Sequence, residues 1–274
     1  MFCLLMSVYH KESPTHLAEA LGSIASQIVL PTQFVLVKDG VLPEPLNQVI
    51  ADYEQRLGIE VVALPENVGL ARALNKGLEI VREPWVARFD SDDICSPLRF
   101  EEQLQWMSSD QYDLFGSQIA EFDEQPTRSA STRRVPLNDA DIKRFANLRN
   151  PFNHMTVCFR TDMVKSVGGY PVLHGMEDYA LWIRLFSAGA RLANSENSLV
   201  YARVGNGMVA RRGGFKYIKS ELKLQCLMTS YLNKSLNKAA AHFFSRAFVF
   251  SMPKAIRAKI YKVFLRDNHA VSNR

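Results

Sequence analysis

Trp85-Val86-Ala87-Arg88-Phe89-Asp90-Ser91-Asp92-Asp93 is a short apolar run that ends in three carboxylates within four residues. Residues 86–89 have the make-up of a buried strand, and side chains two apart on a strand share a face. Asp90 and Asp92 therefore project the same way from the strand's end. Two carboxylates so placed repel each other unless a cation or hydrogen-bond donors hold them. A hard divalent ion with oxygen ligands, Mg²⁺ or Mn²⁺, suits the pair. An acidic loop in which one Asp caps a following helix explains the same residues without an ion. Asp-x-Asp alone is too short to choose, so the neighbouring segments decide.

On the N-terminal side, strand-like and helix-like segments alternate. Residues 2–9 read as a strand, and 15–27 as a helix with Leu17, Ala20, Leu21 and Ile24 on one face. A strand at 33–37 runs into Lys38-Asp39-Gly40. A helix follows over 43–57, then a strand over 59–64. Asn67-Val68-Gly69 opens a helix to about residue 81, just before the acidic stretch. After that stretch, Ser96-Pro97 suits the cap and first turn of a helix bearing Phe100, Leu104 and Met107. The alternation predicts an α/β fold: a Rossmann-like, mostly parallel sheet flanked by helices, with right-handed crossovers. In such sheets ligands bind outside the carboxyl ends of the strands. Asp39, Asn67 and the Asp90/Asp92 pair all fall just past such an end, and three polar clusters on one edge favour a ligand site.

On the C-terminal side, 114–119 and 155–159 read as strands, and the polar stretch 123–140 as a mobile loop. Residues 176–185 form a helix with Glu177 and Asp178 in its first turn, where the helix dipole favours acids. A last strand at 199–201 precedes a glycine-rich loop at 205–214.

Composition sets outer bounds. The 274 residues are 47% hydrophobic and 22% charged, which is ample for a core. The four cysteines, Cys3, Cys95, Cys158 and Cys226, form no C-x-x-C pair, so neither a zinc cage nor a disulfide framework is expected. Residues 1–9 are apolar but lack the basic start and cleavage site of a signal peptide. No apolar run reaches the roughly 20 residues that span a bilayer. Charge is unevenly placed: residues 211–274 hold 14 Lys/Arg and two acids, whereas residues 1–210 hold 19 Lys/Arg and 26 acids. The basic tail ends in a pattern with Ile256, Ile260 and Phe264 on one face and Lys254, Arg257, Lys259, Lys262 and Arg266 around them. That is the make-up of a basic amphipathic helix in an anionic membrane interface. Nucleic acid is not expected, because the aromatics cluster with apolar residues and not between basic ones.

Five blocks stand in order along the chain. They are Met6-Ser7-Val8-Tyr9-His10-Lys11-Glu12, Val37-Lys38-Asp39-Gly40, Glu66-Asn67-Val68-Gly69-Leu70-Ala71-Arg72-Ala73-Leu74-Asn75, Arg88-Phe89-Asp90-Ser91-Asp92-Asp93 and Glu177-Asp178-Tyr179-Ala180-Leu181-Trp182-Ile183-Arg184. Together they resemble the family 2 glycosyltransferases, nucleotide-sugar enzymes of the GT-A fold. The likeness is greatest to bacterial members that build O-antigen, capsule or exopolysaccharide, and spans about residues 2–205. The resemblance implies that Ser7, Tyr9 and Glu12 border the donor and that Asp39 binds a uracil ring. It implies that Asn67, Gly69 and Arg72 line the nucleotide site, and that Asp90, Ser91 and Asp92 hold ribose and metal. The last block then supplies the catalytic base. Lys38 and Val41 depart from the family's frequent Asp-Asp-Gly-Ser. The chain so read has a GT-A domain over 1–210, with a nucleotide-binding half (1–107) and an acceptor-binding half (108–210), and a basic helical tail over 211–274.

The reaction implied moves a sugar, with inversion, from a nucleotide diphosphate to an acceptor hydroxyl. Mn²⁺ or Mg²⁺ on Asp92, with Asp90 nearby, would stabilise the leaving diphosphate. Asp93 is read as a helix-start residue with no direct role. Asp178 is the expected base, with Glu177 next. Arg203, Arg211 and Arg212 are read as a lid on the glycine-rich loop. His154 either lines the acceptor side or bonds within the core, and Trp182 is either a sugar platform or core. Pattern alone makes Asp178 a partner of the helix dipole and Arg72 a solvated helix residue. The partners implied are a nucleotide-sugar (a UDP-sugar first), a lipid-linked glycan and the inner face of the cell membrane. A sugar nucleotidyltransferase is the rival enzyme, but it favours a glycine-rich loop where Tyr9-His10-Lys11-Glu12-Ser13 stands. A non-catalytic membrane module is the other rival, and the intact acids speak against it.

Overall fold

The computed structural model describes residues 1–123, 131–204, 213–253 and 256. In chain order these form β1 (Cys3–Tyr9), α1 (Pro14–Ala25), β2 (Gln33–Asp39), α2 (Glu44–Leu57), β3 (Ile59–Ala63), α3 (Leu70–Ile80), β4 (Trp85–Asp90) and β5 (Ile94–Cys95). There follow α4 (Arg99–Ser108), β6 (Leu114–Phe122), β7 (Ser131–Arg133), α5 (Asp139–Phe145), a 3₁₀ turn (His154–Thr156), β8 (Cys158–Arg160), α6 (Thr161–Ser166), α7 (Glu177–Ser187) and β9 (Leu192–Arg203). Two helices close the order, α8 (Phe215–Leu232) and α9 (Leu236–Ser251).

One sheet runs β3-β2-β1-β4-β8-β6-β9-β5, with β7 pairing β6. The first four strands are mutually parallel. Beyond β4 the sheet turns mixed: β8 is antiparallel to β4 and β6, β9 runs parallel to β6, and β5 is antiparallel to β9. The buried strands are covered on both faces. Along β1, Cys3 and Leu5 join the core under α3 and α7, while Leu4, Met6 and Val8 join the core under α1, α2 and α4. Each fully buried Leu or Met there contributes about 1.5–3 kcal/mol.

Several expectations need correction. The stretch 123–140 is not all loop: its described part forms β7 and the start of α5, which Asn138 caps by accepting from Asp141 N. The pattern at 155–159 divides into a 3₁₀ turn and β8, and the last strand begins at Leu192. Ser96-Pro97 does not start a helix, because α4 begins at Arg99 without a side-chain cap. The loop 205–212 with Arg211 and Arg212, and the terminal amphipathic pattern apart from Ile256, lie outside the described residues.

The basic extension shares the domain's core. Tyr217, Leu224 and Met228 of α8 and Phe250 of α9 pack in the same cluster as Trp182 and Leu185 of α7. Lys234, between the two helices, donates to Asn147 O (3.0 Å) and to Gln225 Oε1 (2.8 Å). The buried Glu221 carboxylate pairs with Arg246 at 3.3 Å.

Candidate active site

Strand register brings the N-terminal site residues to one edge. Ser7 lies opposite Asp90 across β1–β4, and Tyr9 lies opposite Asp39 across β1–β2. Asp39 is buried, and its carboxylate pins the turn after β3. Oδ1 accepts from Val68 N (2.7 Å), and Oδ2 accepts from Asn67 Nδ2 (3.0 Å) and Gly69 N (3.1 Å). Three of its roughly four acceptor positions are thus spent within the chain. Gly40 makes the approach: its φ is +90°, and a Cβ there would meet Asn67 N at 2.7 Å. The Lys-Asp-Gly and Asn-Val-Gly blocks are therefore two halves of one clasp, with α3 starting at its exit. Arg72 is exposed in the first turn of α3 and has no hydrogen-bond or ion-pair partner among the described residues.

Carboxylate oxygens of Asp90, Asp92 and Asp93 lie within 4.8 Å of one another. Burial, then the charges of Asp90 and Glu12, push Asp92 up to about 7. Burial, then Asp90 and Asp92, push Asp93 well above the carboxylate range. Asp93 Oδ1 accepts from Arg203 N (2.9 Å), and buried Oδ2 has no hydrogen-bond partner. Asp93 is therefore not a helix-start residue: β5 follows it, and it completes a triad of acids. Three close carboxylates, of which Asp93 is buried with an orphan oxygen and Asp92 and Asp93 have a raised affinity for protons, fit a hard divalent cation. Glu12 braces the cluster, since its Oε2 accepts from Ser91 Oγ (2.7 Å) and its Oε1 from Ser13 N (2.8 Å).

Arg203 is misassigned by the sequence reading. It ends β9 rather than riding on a lid. Its Nε donates to Asp92 O (3.1 Å), its Nη2 pairs with Glu19, and its guanidinium lies 4.6 Å from the centre of the Phe122 ring. It clamps the backbone under the acids.

Glu177 and Asp178 open α7. Asp178 Oδ2 accepts from Asn150 Nδ2 (2.6 Å), and Oδ1 from Tyr179 N (2.7 Å). Burial raises Asp178 against these hydrogen bonds, which favour its charged form. Glu177 is pushed up to about 7 by burial first and by Asp178 second. His154 Nε2 is 3.0 Å from Tyr170 Oη, and its ring packs on Tyr170 and Trp182. Burial and the Arg88 charge hold His154 well below the usual histidine range, so the ring is neutral. Trp182 is 0% exposed and edge-on to Phe152, which makes it core and excludes a sugar platform on its face.

Arg88 escaped the sequence reading. It is 2% exposed, ion-pairs with Asp90, and leaves Nε and Nη1 without hydrogen-bond partners. Its charge acts on Asp92 and Asp93 and also on His154, Glu177 and Asp178. One buried guanidinium is thus within electrostatic reach of both acid groups, and burial outweighs it in each. The signal was an Arg within the apolar run Val86-Ala87-Arg88-Phe89, where a strand buried on both faces has no use for charge unless a partner is near.

The Glycosyl transferase family 2 model matches residues 3–167. The amylovoran biosynthesis glycosyltransferase AmsE of Erwinia amylovora is 40% identical over 96% of this chain and 98% of its own. The UDP-Gal:alpha-D-GlcNAc-diphosphoundecaprenol beta-1,3-galactosyltransferase of Escherichia coli is 35% identical over 97% of this chain and 96% of its own. In fold, the chain is similar to TarS of S. aureus (residues 1–349, solved with UDP-GlcNAc), with a TM-score of 0.69 at 19% identity over 96% of this chain and 76% of that one. The fold is accordingly GT-A. A family match over most of the catalytic body, backed by relatives aligned end to end, makes this chain an enzyme of glycosyl transferase family 2.

Proposed function

We propose that the enzyme moves a sugar from a UDP-sugar to a hydroxyl of a lipid-linked glycan during bacterial surface polysaccharide synthesis, with inversion. The observation that carries this is a pair of acid groups that both feel the Arg88 charge: a cation-type triad at the sheet edge beside the Asp39 clasp, and Glu177/Asp178 at the start of α7. The names of the two relatives support the polysaccharide setting and the lipid-linked acceptor.

Each residue then has a task. Asp39, Asn67 and Gly69 shape the seat for the nucleotide base, with Ser7 and Tyr9 beside it, and Arg72 is free to meet a phosphate. Asp92, Asp90 and Asp93 would hold Mn²⁺ or Mg²⁺, which when bound offsets charge on the leaving diphosphate. The acceptor oxygen forms a bond to the anomeric carbon as the bond from that carbon to the diphosphate oxygen breaks. The acceptor proton passes to Asp178, whose orientation Asn150 fixes. A specific observation favours Glu177 as an alternative base: its proton affinity near pH 7 suits proton transfer at neutral pH. The rival nucleotidyl-transfer reading fares worse, because the turn after β1 ties Glu12 to Ser91 and offers no glycine cradle.

No helix among the described residues is long and apolar enough to cross a membrane, so attachment to the inner membrane face would be peripheral. The test supplies UDP-, GDP- and dTDP-sugars with Mn²⁺ and a GlcNAc-diphosphoundecaprenol acceptor. One UDP-sugar should yield an extended lipid-linked glycan. Product formed only from a nucleoside triphosphate and a sugar phosphate would overturn the proposal.

A further inference from the structure

The helical hairpin α8–α9 presents an outward surface of unusual make-up. On α8 the exposed positions include Phe215, Lys216, Lys219, Leu222, Lys223 and Cys226. Phe215 is 81% exposed and Leu222 49%. On α9, Leu236, Phe244 and Phe248 are 74%, 69% and 68% exposed, and the last two lie one turn apart on the same face. Gly214 N donates to Phe250 O at 3.1 Å, so the start of α8 meets the end of α9 and Phe215 sits at the Phe248 end of the hairpin. Residues 213–253 contain six Lys/Arg and a single acid, Glu221, which is buried against Arg246. Lys216, Lys219, Lys223 and Lys238 have no acidic partner among the described residues. Large aromatics exposed in series mark an interaction surface.

We infer that this face of α8–α9 is the surface on which the enzyme docks to an anionic lipid bilayer, and that docking sets the catalytic side toward the lipid-linked acceptor. Charge complementarity selects the partner. Exposed lysines without an acidic partner among the described residues, together with exposed apolar side chains, match a headgroup layer that is negative at the surface and apolar just below it. The hairpin's inner side explains the second half of the inference. Tyr217 packs against His174 and fills the space at Gly175, two residues before Glu177. Lys234 bonds Asn147, in the segment that carries Asn150 to Asp178. The same hairpin therefore packs against the segments that lead into Asp178 and its partner Asn150. This rests on the lipid-linked acceptor proposed above, and it places the primary contact on described helices and not on the basic terminal segment.

The experiment uses the full chain and vesicle co-sedimentation. Vesicles of phosphatidylcholine are compared with vesicles containing about one-third phosphatidylglycerol. The variants are Phe244→Ser/Phe248→Ser, Lys216→Glu/Lys219→Glu/Lys223→Glu, and the exposed control Ile28→Ser. Wild type and control should bind anionic vesicles in a salt-sensitive manner, and each hairpin variant should bind at least about tenfold more weakly. Transfer to a water-soluble short-chain acceptor should be unchanged in both hairpin variants, which also reports that they are folded. Undiminished sedimentation of the hairpin variants would overturn the inference and assign docking to residues 254–274. Conversion from a dimer to a monomer, with vesicle binding intact, would overturn it in favour of self-association. Sedimentation that depends on the hairpin without any sugar transfer would uphold docking and remove the donor and acceptor proposed above, so the two fail separately.

Discussion

The parallel strands β3-β2-β1-β4 and the mixed strands beyond them build their parts of the site in different ways. In the parallel part, each functional residue sits at the end of its own strand. Asp39 ends β2 and Asp90 ends β4, and register alone sets them beside Tyr9 and Ser7. In the mixed part, function depends on distant partners. Asp178 leans on Asn150, Tyr179 Oη donates to Ala146 O (2.6 Å), and Tyr217 from the hairpin fills the space at Gly175. In the first arrangement the strands carry the backbone geometry, and side chains such as Asp39 tie the neighbouring turn to it. The second ties catalysis to packing.

The sharpest way to break this contrast is in the parallel part. Asp92→Ala removes the expected main cation ligand, and transfer should fall about 10³–10⁴-fold, corresponding to several kcal/mol of lost charge stabilisation. The melting temperature without metal should hold or rise, because a half-buried, repelling carboxylate has gone. Chelation by EDTA should reproduce the activity loss in wild type. Full activity in EDTA would dismiss the cation.

In the mixed part, Asp178→Asn should lower kcat about 10³-fold with the affinity for UDP unchanged. Glu177→Gln should cost about tenfold if Glu177 only shapes the field around its neighbour. A reversal of the two losses would move the base to Glu177, in line with its proton affinity near 7. Nucleotide affinity measured in both variants separates a chemical role from a collapse of the first turn of α7.

Arg88 joins the two parts, so its loss should be felt in both. Arg88→Met leaves Asp90 without its buried counter-charge and should destabilise the metal-free fold by about 3 kcal/mol. Saturating Mn²⁺ should recover part of that stability by supplying positive charge to the same acids. Arg88→Lys keeps the charge but loses the planar fork and should lie between. Equal melting temperatures for all three proteins would show that Arg88 balances neither acid group.

How much was legible follows the same divide. The alternation through residue 107 is local, so periodicity located β1 to β4 and put Asp39, Asn67 and Asp90 on one edge. The family blocks added roles for Asp92 and Asp178. Beyond β4 the pairing is long-range. β8 inserts between β4 and β6, and nothing in 155–159 announces that position or the 3₁₀ turn before it. Arg203 was misread because its neighbours are glycine-rich, whereas its contacts are to Asp92, Asp93 and Glu19, at least 110 residues earlier. Trp182 was ambiguous because a Trp on an amphipathic helix has the same sequence signature in a core and in a sugar cleft. Asp93 escaped because a two-residue strand carries no periodicity from which to read it.

The smallest expected effect tests whether both acid groups share the same burden. Burial raises Asp92 and Glu177 to about 7, against ordinary values of 3.8 and 4.5. The folded protein then holds protons that the unfolded chain releases, so the contribution to stability is full below the ordinary values and is lost as pH rises through about 7. His154 works the other way. Its folded value is depressed, so acidification through about 6.5 favours the unfolded chain, which takes up the proton more readily. The window that isolates the acids lies above that value. On going from about pH 8 to about pH 6.8, metal-free protein should gain on the order of 2 °C in melting temperature. Mn²⁺ should stabilise more at the higher pH, because protons and cation compete for Asp92. Asp92→Asn and Glu177→Gln should each remove part of the slope, and Asp92→Asn alone should remove the pH dependence of the Mn²⁺ effect. A melting temperature that falls over this window in wild type would mean that neither acid group is held protonated by burial.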